Sequence, residues 1–238
     1  MAICGTADIS DRKRCSMYFQ FLIEDRSTGI LVEHVMEKLR EQYPDRDIFF
    51  DIKSFKGIGN LKKTGTLLER KSGNLLNDLP CYLRGFDKKL KDMERSAIVI
   101  IMDNDTRDQE EFSAQLEEVA REAVQNTDYV FCIAVKEMEA WLLGDENAIV
   151  SAYPQAKKKY IKAYEQDTIG ETWEMLANAV YPGGLAALKK KSKSSYSETG
   201  KAKCEWADKI GKNLTPDENK SPSFQHFFSE LTARIQTA

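Results

Sequence analysis

Carboxylates gather where apolar segments of this chain end. Ile23 is followed by Glu24 and Asp25, Met102 by Asp103, Asn104 and Asp105, and Val135 by Lys136, Glu137, Met138 and Glu139. Residues i and i+2 leaving an extended segment point the same way, so Asp103 and Asp105 are expected to converge on one hard cation. Mg²⁺ prefers one or two carboxylates together with waters and phosphate oxygens, and Mn²⁺ accepts the same donors. Crowded carboxylates are costly unless a cation neutralises them, which is the physical reason to expect a metal here. The competing reading makes Asp105 the cap of a helix that starts near Arg107, and Glu24 alone a cap or surface acid.

Basic residues form a second set of candidates. Lys56, Lys62 and Lys63 flank a Gly57-x-Gly59 loop, where they could face a phosphate, although no GKS/T follows and the motif is too short for a dinucleotide fingerprint. Lys136 directly precedes Glu137 and is placed to steady charge on a scissile phosphate, or else to pair with a neighbouring acid. Lys189, Lys190, Lys191 and Lys193, followed by Lys201 and Lys203 with Tyr196 and Trp206 nearby, form a candidate nucleic-acid strip, or a merely solvated run. His34 and His226 are isolated in sequence and suggest neither a triad nor a zinc site.

These groups need elements to hold them. Met17 to Ile23, Asp47 to Ile52, Ala97 to Met102 and Tyr129 to Val135 are short runs rich in Ile, Val and Phe without strict alternation, as strands covered on both faces should be. Ile30 to Tyr43 and Gln109 to Gln125 carry helical stripes, and Glu137 to Tyr153 predicts a further helix. Between Lys53 and Met93 a glycine- and lysine-rich loop should give way to one or two helices. Strand and helix in alternation imply βαβ units, hence a mostly parallel sheet of about four strands flanked by helices. In such sheets ligands bind beyond the carboxyl ends of the strands, where the acids lie. After Pro154 the strand signal stops. Gln155 to Leu188 reads as helical with a break at Pro182-Gly183-Gly184, Lys189 to Gly200 as an exposed loop, Lys201 to Ile210 as a helix, and Phe224 to Ile235 as the last one. Residues 1–153 are therefore expected to form the α/β domain and 154–238 a helical C-terminal extension.

Bulk properties exclude little else. With 238 residues, 42% hydrophobic, the chain can bury a full core. A net charge of −3 on a 31% charged background leaves nucleic-acid binding open, since basic residues can cluster on one face. Five cysteines without a CxxC pair (Cys4, Cys15, Cys81, Cys132 and Cys204) point to free thiols in a reducing compartment. No run approaches the ~18 apolar residues of a membrane span, so a cytoplasmic protein without membrane attachment is expected.

Four segments carry a family resemblance: IEDRSTGILVEHVMEKL (23–39), KGIGNL (56–61), IVIIMDNDTRD (98–108) and IAVKEMEAWLLGDENAI (133–149), with TWEMLANAVYPGGLAALKK (172–190) beside them. A Glu after the first strand and Asp-x-Asp after the third resemble the Toprim domain, and the chain is similar over about residues 18–190 to small bacterial Toprim-like proteins related to the nuclease half of OLD-type enzymes. The resemblance implies a Rossmannoid fold and a metal-dependent phosphodiesterase. Glu24 would be general base or metal ligand, Asp103 and Asp105 would hold Mg²⁺, and Glu139 with Glu137 would complete or support a second metal position. It also implies nucleic acid as substrate, DNA ahead of RNA, and a role in phage defence or DNA repair beside an ABC- or AAA-type ATPase, with homo-oligomerisation open. One departure is that OLD-type nucleases carry a second acid a few residues after the first Glu, where this chain has Ser27, Thr28 and Gly29. That departure admits a non-catalytic or partner-activated effector subunit. Receiver and phosphatase domains also place Asp-x-Asp after a strand, but they need a Thr or Ser at a later strand end, which IAVKEME lacks.

Overall fold

The computed structural model describes residues 16–60, 73–168, 171–193 and 198–237. Four strands, β1 (Ser16–Ile23), β2 (Asp47–Ser54), β3 (Ser96–Asp103) and β4 (Asp128–Ala134), lie parallel in the order β2-β1-β3-β4. The sequence order reverses at β1: the chain steps outward to β2, then returns across β1 to β3. All strand carboxyl ends therefore share one edge, and the switch point falls between β1 and β3. Ile23 pairs with Ile101, and Asp103 with Ala134, which fixes the register of the acidic turns.

Three helices make the crossovers: α1 (Arg26–Gln42), α2 (Leu75–Leu90) and α3 (Gln109–Ala123). Alternation along each strand feeds two cores. Phe19, Phe21, Ile23, Val99, Ile101 and Cys132 enter one with α1, whereas Leu22, Ile98, Ile100, Met102, Phe131 and Ile133 enter the other with α2 and α3. Burial on both faces explains why β1, β3 and β4 read as apolar runs, whereas β2, expected to be covered on both faces, lies at the sheet edge with only Ile48 buried and Phe49 exposed. Right-handed crossovers in opposite directions from β1 place α1 and α2 on opposite faces.

The remaining helices are α4 (Glu139–Leu143), α5 (Glu146–Ala152), α6 (Lys158–Ala163), α7 (Thr172–Val180), α8 (Gly184–Ser192), α9 (Glu198–Asn213) and α10 (Pro222–Gln236), with a 3-10 turn at Pro216–Glu218 before the last. They do not stand apart: Leu176, Leu188, Trp206, Ile210, Phe224 and Phe227 belong to the same core as Phe19 and Val99. Trp141 stacks on Phe227 with centroids 5.0 Å apart, and its Nε1 donates to Ser223 Oγ at 2.8 Å.

Three expectations need correction. The helix predicted over Glu137 to Tyr153 breaks into α4 and α5 at Gly144, where Asn219 packs so close that a Cβ would lie 1.9 Å from its Oδ1. Asn219 Nδ2 also donates to Trp141 O, so a distant loop sets the break. The loop expected over Lys189 to Gly200 is helical at both ends, where α8 runs to Ser192 and α9 starts at Glu198; residues 194–197 lie outside the described residues. Trp206, expected beside a nucleic-acid strip, is buried in the core. His34, isolated in the sequence from any Cys, Ser or His partner, pairs with Asp208 at 3.0 Å and ties α1 to α9.

Trp141 joins α4 to α10, so Trp141→Ala should lower unfolding free energy by about 3–5 kcal/mol. Urea denaturation of the two proteins checks this; a change under about 1 kcal/mol would mean the stack is not a junction of the core.

Candidate functional site

Glu24 and Asp103 meet at the switch point. The backbone N–H of Glu24 donates to Ile101 O at 3.3 Å, and the N–H of Asp103 donates to Glu24 Oε2 at 3.1 Å. Asp103 Oδ1 in turn accepts from Met138 N at 2.9 Å. One oxygen of each carboxylate is thus fixed by backbone, and the other makes no hydrogen bond among the described residues.

The turn after β4 brings the next acids. Lys136 sits at φ 64°, a left-handed conformation that ends the strand and turns the chain into α4 at Glu139. Glu139 is 1% exposed and Glu137 17%. Lys203, on α9, reaches between them: its Nζ lies 3.0 Å from Glu139 Oε2 and 3.8 Å from Glu137 Oε2. Glu139 Oε1 and Glu137 Oε2 are buried without a hydrogen-bond partner.

Charge and burial set the protonation of this cluster. Burial pushes Glu24 up to about 7, against the Asp103 N–H that favours its anion, and the charges of Asp105 and Asp25 add to the rise. Burial, then Glu24 and Glu139, holds Asp103 well above the usual carboxylate range. Burial likewise lifts Glu137 to about 7, although Lys203 opposes it. For Lys203 burial acts downward, but Glu139, Glu137 and Asp103 outweigh it and keep the ammonium firmly charged.

The i, i+2 rule does not reach Asp105. Extended geometry stops at Asp103; Asp105 has φ 53°, and its Oδ2 accepts from Arg107 at 2.9 Å. It remains near enough to act on Glu24 by charge. Nor does it cap the following helix, a role taken by Asp108, which accepts from Glu111 N at 2.9 Å. Asp25 caps α1, accepting from Thr28 N and Ser27 Oγ. Ser27, Thr28 and Gly29, which stand where an OLD-type second acid would be, are buried, and a Cβ on Gly29 would fall 2.7 Å from Ile23 Cδ1. The space that an acid would need is filled by close packing of α1 on the sheet.

Of the lysines, Lys136 is half-buried at the same strand end, its backbone O accepting from Asp105 N. Lys56 is exposed on the loop that returns to β1, where Gly57 N donates to Glu24 O at 3.1 Å. Lys62 and Lys63 lie outside the described residues. Lys189, Lys190, Lys191 and Lys193 are exposed; Lys189 lies over the Trp173 ring and Lys191 pairs with Glu198. Sequence reasoning placed Lys203 with this outer strip and missed its inward role. Its signal was register: Lys203, Ala207 and Ile210 fall at i, i+4 and i+7, a lysine on the buried stripe of α9.

Among the described residues no three carboxylate, imidazole or thiol side chains stand close enough together to hold a metal ion. Two hard oxygen ligands, Glu24 and Asp103, suit Mg²⁺, which takes one or two carboxylates and completes its shell with water and phosphate. The repulsion between Glu24 and Asp103 is what such an ion would relieve.

A family model described as "Domain of unknown function (DUF4276)" matches residues 28–232. The chain belongs to that family. The DUF4276 match takes in Asp103, Glu137, Glu139 and Lys203 and extends from α1 into α10. No curated protein and no solved structure matches the chain. No helix among the described residues is long and apolar enough to cross a membrane.

In metal-free buffer, stability should fall as pH rises from about 4.5 to about 7. Folded Glu24 and Glu137 keep their protons to about 7, whereas the unfolded chain releases them near 4.5, so the native state binds more protons across that window. The lowered pKa of Asp87 acts only at more acidic pH, where its contribution is lost as pH falls. Thermal melts across this range should show the decline, and Glu24→Gln should flatten it; a wild-type melting temperature rising toward pH 7 would refute the assignment.

Proposed function

We propose that this chain is a Mg²⁺-dependent phosphodiesterase that cleaves nucleic acid, DNA ahead of RNA. The observation that carries the reading is the meeting of Glu24 and Asp103 at the switch point of a parallel sheet, each with one oxygen tied to backbone and their charges opposed. The Toprim resemblance of the same residues adds to it. Glu24 and Asp103 would hold the metal, which supplies charge to a phosphate oxygen and lowers the pKa of a bound water. Mn²⁺ should substitute for Mg²⁺.

The chain's own groups do the rest. Beside the ion, Glu24 would orient an attacking water and accept its proton. Lys136 and Lys56, beyond the carboxyl ends of β4 and β2, would draw in the phosphate backbone, and Lys189, Lys190, Lys191 and Lys193 would extend the contact along the end of α8. A role in phage defence or DNA repair, beside an ABC- or AAA-type ATPase, follows from the resemblance alone.

A second reading has its own observation. Lys203 already neutralises Glu139, and Arg107 already holds Asp105, so the site resembles one kept quiet until a partner rearranges it. In that reading the chain is an effector subunit that binds metal and an ATPase but does not cut alone.

Incubating the purified chain with supercoiled plasmid and with total RNA, with Mg²⁺ or Mn²⁺, separates the two. Cleavage lost in Asp103→Asn and lowered at least about 10²-fold in Glu24→Gln supports the nuclease. No cleavage, but a Mg²⁺-dependent rise in melting temperature that Asp103→Asn abolishes, supports the partner-activated subunit. Neither cleavage nor a metal-dependent rise would sink both.

A further inference from the structure

The turn after β4 is where a second metal would be expected, on Glu137 and Glu139. That place is filled from within the chain. Lys203 Nζ is 3.0 Å from Glu139 Oε2 and 3.8 Å from Glu137 Oε2, and its side chain is only 18% exposed. Mg²⁺ sits about 2.0–2.1 Å from a carboxylate oxygen. An ion on Glu139 Oε2 would share that oxygen with the ammonium 3.0 Å away and meet its like charge.

Lys203 is also held in place. On α9 it shares a face with Ala207 and Ile210, which are fully buried, and Trp206 beside it is buried too. α9 is anchored to α1 by His34 and Asp208, and by Lys38 Nζ donating to Lys212 O at 3.0 Å. A Cβ on Gly211 would come within 2.8 Å of His34 Cδ2, so the two helices are already at closest approach. Withdrawing the lysine would uncover two carboxylates, one of them in Glu139, which is 1% exposed and whose Oε1 has no hydrogen-bond partner.

We propose that Lys203 stands in the place of a second cation, so that this site takes one divalent ion, on Glu24 and Asp103, rather than two. The inference rests on the metal reading above and refines it. Lys203 supplies the positive charge that fixes the Glu137–Glu139 end, and the departure at Ser27, Thr28 and Gly29 removes the acid that a second ion would otherwise use.

The test counts ions bound by the full chain, by equilibrium dialysis with Mn²⁺ and electron paramagnetic resonance of the free ion. Wild type should bind one Mn²⁺ per chain, and Lys203→Arg should keep one. Lys203→Ala, which removes the charge and opens the volume, should bind two, and Glu137→Gln added to it should return the count to one. Two ions on the wild type, or only one on a folded Lys203→Ala chain, would overturn the proposal. If Lys203→Ala does not fold, the wild-type and Lys203→Arg counts decide it, two on either being fatal. No ion on the wild type would instead remove the metal reading itself, and this inference with it.

Discussion

Carboxylates brought within a few ångströms of one another in a half-buried cleft repel strongly, and each must find a donor or a positive charge. Much of the local structure answers that requirement. Glu24 takes the N–H of Asp103, Asp103 takes the N–H of Met138, Asp105 takes Arg107, and Glu139 takes Lys203. These contacts link β1 to β3, β3 to the turn before α4, and that turn to α9. The acidic end of the sheet is thus a place where distant segments are fastened together. Removing one partner of such a set leaves a buried charge exposed to its neighbours, which costs more than the contact itself contributes.

Topology explains why the acids meet at all. In the order β2-β1-β3-β4 the helix after β1 crosses toward β2 and the helix after β3 toward β4, which makes the junction of β1 and β3 the switch point of the sheet. Side-chain alternation then decides who faces whom. Val99, Ile101 and Asp103 share one parity, the face covered by α1 and the C-terminal helices, and this is why Asp103 meets groups from α4 and α9 and not from α2 or α3. The second core, under α2 and α3, packs the other face of the sheet.

β1, β3 and β4 were readable because burial on both faces writes an apolar run, and the acids at their ends were readable because they follow those runs directly; β2, half exposed at the sheet edge, wrote a fainter one. What escaped was set by contacts remote in sequence. Nothing local to Glu137–Tyr153 announces that Asn219 will press on Gly144 and split the helix. Asp105 was misplaced because the i, i+2 rule holds only while the backbone stays extended, and it ceases to be so after Asp103. Lys203 looked like one more member of a basic run; its register with Ala207 and Ile210 marked it as inward, but a single charge on a buried stripe is a faint signal beside a cluster of exposed lysines.

The Lys203–Glu139 pair spans 64 positions of chain, and Lys203 lies on the next-to-last helix. On a ribosome the sheet and its acidic turns emerge first, and domains generally begin to organise in that order. During that interval Glu137 and Glu139 stay uncompensated, so the half-made protein has reason to keep this end of the sheet loose and hydrated. Only the arrival of α9 draws the cluster shut. The acidic centre is therefore complete only once α9 has been made.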